Sequence, residues 1–151
     1  IPVLAPGIAA FHTACMLGQK FSILTMWPRW YPLYRKTLKE YGLESRLASI
    51  RSIDVRPDTE ALLEGKEEVV FAKLLDAGRL AIEQDGADVI VLGSTTMHQA
   101  HAYLAEHLPV PVLNPGLIAY KMCEVLLDLG LCHSKIAYPS PEQIKDTAFS
   151  R

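Results

Sequence analysis

The sequence has few of the features that mark extracellular, membrane or nucleic-acid-binding proteins. Its three cysteines are too few and too oddly spaced for a disulfide framework or a zinc site. The net charge of -2 leaves no basic excess to attract nucleic acid or an anionic membrane. The longest apolar runs, such as Val89–Leu92, are far too short to span a bilayer. No signal-peptide pattern opens the chain, so we expect a cytoplasmic protein with reduced thiols and no metal, nucleic-acid or membrane partner.

What the sequence does contain is typical of a globular domain. Half of the 151 residues are apolar and 21% are charged. The chain begins at Ile1 rather than at a methionine, and its first four residues already have the pattern of a strand. We interpret this beginning as the result of processing or as part of a longer protein.

An internal repeat links the two ends of the chain. Residues 1–11 align without gaps with residues 110–120, at an offset of 109, and six of the eleven positions are identical. Chance similarity of two strand-to-helix turns is the alternative to duplication. A repeat unit of 109 residues fits only once in a chain of 151 residues. We therefore infer two pseudo-symmetric lobes, of which the first is largely missing, with a ligand site between them. On this interpretation, residues 1–20 end the first lobe, 21–113 form the second, and 114–151 form a return helix and tail.

Strands that alternate with helices predict an α/β fold in which a parallel sheet is flanked by helices. Besides the first four residues, strands are expected over residues 21–25, 46–53, 89–92 and 110–113. Helices are expected over residues 6–17, 31–41, 67–84, 98–107 and 116–129.

The turns after the strands are the predicted location of the chemistry. In open parallel sheets, ligands bind beyond the carboxyl ends of the strands. Residues 93–98 form the most informative turn, because a buried strand leads into a glycine, three hydroxyl residues and then a helix. Hydroxyls and free N–H groups at a helix start suit a carboxylate or an imide oxygen. Alternatively, these hydroxyls only cap the helix.

Residues 87–97, followed by 109–115, resemble the second active-site motif of the aspartate/glutamate/hydantoin racemases. Residues 1–7, residues 18–25 and the long helix before Gly86 are similar to the rest of that family's C-terminal portion. The resemblance implies two similar lobes and cofactor-free proton transfer at a carbon next to a carbonyl. It also implies two cysteines, one from each lobe, that face a small substrate from opposite sides, such as an amino acid, hydantoin or dicarboxylate.

The sequence departs from this pattern at the second cysteine, which is replaced by Ser94. A hydroxyl is a far weaker acid than a thiol, and without activation it is a poor base for a carbon acid. Cys15 and Cys123 fall inside predicted helices, where a buried thiol is the favoured interpretation. His98 is the titrating group near Ser94; it could activate the serine, or it could be an exposed first-turn histidine. The catalytic candidates are therefore Ser94 and His98.

The candidates for substrate binding come from the other strand ends and the same turn: Gly7, Thr25, Thr95, Thr96 and Asn114. We expect Thr25, Ser94, Thr95 and Asn114 to line one cleft, with the 94–96 backbone facing an anion. His101 and His107 are expected to be solvated, whereas Trp27 and Trp30 could wall the pocket or belong to the core.

Three functions remain open from the sequence. The first is a racemase or epimerase, and the second is a decarboxylase-like lyase with a single cysteine. The third is a non-catalytic protein that keeps the anion-binding turns. A cysteine in a segment upstream of Ile1 would favour the first two functions over the third. We also expect a homo-oligomer.

Overall fold

The computed structural model describes residues 1–56 and 67–140. Its centre is a four-stranded sheet formed by β1 (Phe21–Thr25), β2 (Leu47–Ser52), β3 (Val89–Leu92) and β4 (Val112–Leu113). The strand order is β2-β1-β3-β4, and every neighbouring pair is parallel. The prediction of an α/β fold with a parallel sheet flanked by helices is confirmed.

Five helices are described, and three short 3-10 turns lie between elements. The helices are α1 (Pro6–Leu17), α2 (Tyr31–Glu40), α3 (Glu67–Glu83), α4 (Ala100–His107) and α5 (Pro115–Asp128). The 3-10 turns are Pro28–Trp30, Glu44–Arg46 and Thr95–Met97. In the described part of the chain, no helix combines the length and apolarity needed to cross a membrane.

The core lies on both faces of the sheet, because successive side chains of a strand point to opposite sides. Leu24 and Leu92 pack with α3 and α4 on one face. Ile23 and Val91 pack with α1 and α2 on the other. Every residue of β1 and β3 is buried, as expected of central parallel strands that are covered on both faces. The inner face of α3 is formed by four buried residues at helical spacing: Val70, Leu74, Ala77 and Ala81.

The predicted strand at residues 1–4 is wrong. This segment has no regular structure, and the backbone of Val3 lies 2.9 Å from Nε2 of His133 instead of pairing with a strand. A strand needs a neighbour for its backbone groups, and none of the described strands lies beside it. The expectation that 1–4 and 110–113 are equivalent strands therefore fails in the first unit. The helical half of the repeat is the same in both units. α1 begins at Pro6, α5 begins at the equivalent Pro115, and the two helices pack against each other.

The described strands form one sheet, and the proposed domain boundaries at residues 20 and 113 remain predictions. The expected tail runs to residue 151, and its part from residue 141 onward lies outside the described residues.

Candidate active site

The turn after β3 carries three neighbouring hydroxyl groups. Ser94 is the N-cap of the 3-10 turn Thr95–Met97, and its Oγ accepts a hydrogen bond of 3.3 Å from the Thr96 N–H. The Ser94 Oγ also lies 2.9 Å from the Thr96 hydroxyl. Ser94 is half-buried, whereas Thr95 and Thr96 are exposed. The capping interpretation is therefore true of Ser94, but the two threonine side chains remain accessible to a ligand.

Gly93 is the residue between the end of β3 and this turn. Its N–H donates to the carbonyl of Leu24 at 2.7 Å, which continues the pairing of β1 with β3. A Cβ atom at position 93 would lie 2.6 Å from the Tyr34 hydroxyl and 2.9 Å from the Leu24 carbonyl oxygen. No side chain fits there without displacing its neighbours, so the close approach requires glycine.

Thr25 differs from its predicted role. Its side chain is fully buried and therefore lines no open cleft. The Thr25 hydroxyl lies 3.0 Å from the hydroxyl of Tyr34, which in turn donates to the Gly93 carbonyl at 2.9 Å. Thr25 thus lies beneath the turn and reaches it through Tyr34.

Tyr34 was not among the site residues predicted from the sequence. Burial raises the pKa of its phenol, and the hydrogen bond from Thr25 offsets part of that rise. The phenol therefore stays neutral and remains a donor at physiological pH. A buried tyrosine hydroxyl must find a partner. That requirement was the one signal that could have singled out Tyr34 on an otherwise apolar helix face.

Asn114 joins the site from the end of β4. It caps α5, because its Oδ1 accepts from the N–H groups of Gly116 and Leu117 at 3.1 and 3.3 Å. The same turn touches the β3 turn: a Cβ at Gly116 would lie 3.4 Å from the Thr95 methyl carbon. No described residue accepts a hydrogen bond from the Asn114 amide nitrogen, and the residue is half-buried.

Gly7 lies on a cavity beside the same turn. The cavity has a volume of about 390 Å³ and is lined by residues of α1, α2 and the end of β3, including Gly7, Phe11, Tyr34, Leu92 and Gly93. The start of α1 and the end of β3 are therefore neighbours, although no strand precedes Gly7.

His98 is exposed and makes no hydrogen bond to Ser94 in the described part of the structure. Its Nδ1 lies 3.3 Å from the carbonyl oxygen of Thr95. Because a carbonyl only accepts, this contact requires a proton on Nδ1 and leaves Nε2 of the neutral ring as a base. The helix expected from residue 98 begins instead at Ala100, because the 3-10 turn capped by Ser94 occupies residues 95–97.

The other histidines have structural surroundings. His101 was expected to be solvated, but it is half-buried and its Nε2 lies 3.0 Å from the Val112 carbonyl, so it links α4 to β4. His107 is exposed, as predicted, and its ring stacks on Tyr103.

The three cysteines lie outside the turn. Cys15 and Cys123 are in α1 and α5, as predicted, but they are half-buried rather than buried, and Cys132 is exposed. Of the two tryptophans, Trp30 packs against the core and Trp27 lies under the guanidinium of Arg29. Residues 1–56 and 67–140 contain no cluster of three His, Cys, Asp or Glu side chains that could hold a metal ion.

Comparison with known proteins identifies the family of this chain. The family model for Asp/Glu/Hydantoin racemase matches residues 1–123. The chain belongs to this family. It is 30% identical over 148 residues to the hydantoin racemase of Pseudomonas sp. (strain NS671), covering 94% of this chain and 56% of that protein. It is 33% identical over 141 residues to the hydantoin racemase of Rhizobium meliloti, covering 91% and 57%.

Solved structures of family members match the fold as well. The allantoin racemase from Klebsiella pneumoniae superposes with a TM-score of 0.84 at 33% identity, over 95% of this chain and 59% of that one. The allantoin racemase from Pseudomonas fluorescens gives a TM-score of 0.83 at 34% identity, over 96% and 61%. The resemblance inferred from the sequence is confirmed, and the chain spans less than two thirds of the length of these relatives.

Proposed function

We propose that the whole protein is a cofactor-independent racemase or epimerase that moves a proton at a carbon next to a carbonyl. Its substrate class would be a hydantoin-like ring or a related amino-acid derivative. The names of the relatives support this class, since they are hydantoin and allantoin racemases. This chain would then supply one side of the active site.

The observation that carries the proposal is the turn at residues 94–96. It lies at the carboxyl end of a central strand and exposes hydroxyl groups close to the turn that Asn114 caps. Such donors suit the oxygen of a carbonyl that becomes enolate-like when the adjacent carbon loses its proton. Thr95, Thr96 and Asn114 are thus the proposed substrate-binding groups, with Gly7 bordering the site.

Ser94 is the proposed acid–base group on this side of the substrate, in the position of the family's second cysteine. Its hydroxyl is already engaged by Thr96, which positions the oxygen but does not give it the acidity of a thiol. His98 would assist through Nε2 by exchanging a proton with the site across intervening solvent. This arrangement predicts weak or one-sided proton exchange.

We propose that a second, similar lobe supplies the opposite acid–base group. The internal repeat supports this proposal, as does the greater length of the relatives. Assembly into a homo-oligomer and a cytoplasmic location belong to the same proposal; free cysteines and exposed apolar side chains on α5 support them.

A non-catalytic anion-binding protein is the second candidate function. The engagement of Ser94 as a cap favours it, because a cap needs no reactivity. On this alternative, the turn would bind the same carbonyl or carboxylate without transferring a proton.

The test is solvent deuterium incorporation at the ring carbon of each enantiomer of allantoin and of a 5-substituted hydantoin. The intact protein is compared with Ser94→Cys, and Ser45→Cys serves as a control at an exposed serine away from the turn. We expect Ser94→Cys to raise exchange roughly tenfold or more, which corresponds to about 1.4 kcal/mol of barrier. Ser45→Cys should change nothing.

Two results would contradict the proposal. Fast, symmetric exchange that survives Ser94→Ala would show that position 94 is not the second acid–base group. Absence of exchange in all variants, together with calorimetric binding of the same compounds, would favour the binding protein.

A further inference from the structure

We propose that Tyr34 is a positioning residue for the active-site turn. Through a buried relay from Thr25 to Tyr34 to Gly93, it sets the orientation of the peptide unit that carries Ser94. The inference rests on the proposed function for the meaning of the turn, but the geometry of the relay stands independently of it.

The direction of the relay follows from the hydrogen-bonding groups. A tyrosine hydroxyl has one proton, and here that proton points to the Gly93 carbonyl at 2.9 Å. The Thr25 hydroxyl, at 3.0 Å, must therefore donate to the tyrosine oxygen. Thr25 is fully buried and Tyr34 is only 7% exposed, so both donors are largely removed from bulk solvent.

The acceptor of the relay explains how it reaches Ser94. The carbonyl of Gly93 and the N–H of Ser94 belong to the same planar peptide unit, so fixing the first fixes the second. The other side of Gly93 is held by its own N–H bond to Leu24 at 2.7 Å. Both peptide units that flank Gly93 are therefore held in place. Ser94 can still rotate about its own backbone and side-chain bonds, and its hydrogen bond from the Thr96 N–H limits that rotation.

Loss of the Tyr34 hydroxyl would leave the half-buried Gly93 carbonyl without its donor from the protein. The peptide unit between Gly93 and Ser94 could then tilt, and the cap from Ser94 to the Thr96 N–H would weaken. In Ser94→Cys, the same cap would stabilise a thiolate, because an N–H donor favours the charged form. The pH dependence of that thiol's reactivity therefore reports the geometry of the turn.

The experiment measures the alkylation rate of the thiol introduced by Ser94→Cys against pH in the intact protein, by mass spectrometry of its peptide. The second-site changes are Tyr34→Phe, Thr25→Val and Thr25→Ser. Tyr31→Phe is the matched control, since it removes a hydroxyl from the same helix that forms no hydrogen bond with the described residues. We expect Tyr34→Phe to shift the pH profile of alkylation to higher pH. Alkylation at pH 7 should therefore be about threefold slower.

Thr25→Val should shift the profile in the same direction by less, whereas Thr25→Ser and Tyr31→Phe should leave it unchanged. In the deuterium exchange assay, Tyr34→Phe should lower kcat roughly tenfold with KM changed by less than about twofold, as expected for misplaced reacting groups. A role in packing alone would lower the urea midpoint without shifting the alkylation profile of the folded protein.

An unchanged profile in folded Tyr34→Phe would overturn the inference. If that variant fails to fold, equal profiles for Thr25→Val and Thr25→Ser would overturn it instead. If no variant exchanges deuterium, the proposed function fails, but the alkylation profiles still decide whether the relay positions the turn.

Discussion

Gly93 is the residue of the site with the least room for change. An added methyl group would overlap both the Tyr34 hydroxyl and the Leu24 carbonyl, and the carbonyl is backbone that cannot swing away. We expect Gly93→Ala to lower the free energy of unfolding by about 1–3 kcal/mol, the usual range for overpacking. Urea unfolding with a circular dichroism readout would measure it.

Gly7→Ala is the control for that prediction. A Cβ at Gly7 would meet only the Phe11 ring, at an ordinary 3.7 Å, and the position lies inside α1. Alanine there should be neutral or slightly stabilising, because glycine is unfavourable in a helix. Equal unfolding midpoints for the two variants would show that the contacts around Gly93 do not constrain it.

Ser94, Thr95 and Asn114 lie at one edge of the sheet, as the strand-end rule predicted, because parallel strands end at the same edge; their role in a site stays a prediction. The strand-end rule misplaced Thr25, because a rule about backbone position does not say whether a side chain points to solvent or into the core. Tyr34 was missed because periodicity treats tyrosine as an apolar residue and ignores its hydroxyl.

A pair of oppositely charged side chains links β2 to the end of α3 at the edge of the sheet. Arg51 on β2 donates two hydrogen bonds, of 2.6 and 2.9 Å, to the carboxylate of Asp85, just beyond α3. The two side chains are only 25% and 20% exposed. The hydrogen bond from Arg51 lowers the pKa of the Asp85 carboxyl, although burial opposes this.

We expect Asp85→Asn to lower the free energy of unfolding at pH 7 by about 1 kcal/mol, a value discounted for partial exposure. Because the folded-state pKa of Asp85 is lowered, its contribution is complete above the unfolded value of about 3.9 and is lost as pH falls through the folded one. The difference between the parent and Asp85→Asn should therefore shrink in urea unfolding at about pH 3.

Glu40→Gln provides the comparison, since the Lys36–Glu40 pair is largely exposed and should contribute almost nothing at either pH. A difference for Asp85→Asn that stays constant from pH 7 to pH 3 would mean that the carboxylate charge is not what stabilises this edge.

Among the helices and strands, β3 and α3 were predictable because their patterns depend on the residues of one segment. The segment at residues 1–4 has a strand's composition but lacks a neighbouring strand, and pairing is a property of the fold rather than of the segment. The start of α4 was placed two residues early because the cap at Ser94 closes a short 3-10 turn before the helix begins.

Several large apolar side chains on and near α5 are exposed to solvent. Leu117 and Tyr120 on α5 are 51% and 61% exposed, and several further leucines near the end of the same helix are also open to solvent. Exposed apolar surface of this kind commonly marks an interface. The expectation of a homo-oligomer could not name the contact, since helical spacing alone does not show which apolar side chains stay exposed.

We therefore expect the 151-residue chain to self-associate in solution, with α5 at the contact. Replacing two large apolar side chains by Leu117→Gln and Tyr120→Gln should raise the dissociation constant roughly tenfold or more, since each 1.4 kcal/mol corresponds to a factor of ten. Sedimentation velocity over a concentration series would measure this. Leu33→Gln on α2, which removes one equally exposed leucine, should leave the constant unchanged. A chain that stays monomeric throughout the series, or that loses association equally with Leu33→Gln, would show that α5 is not the contact.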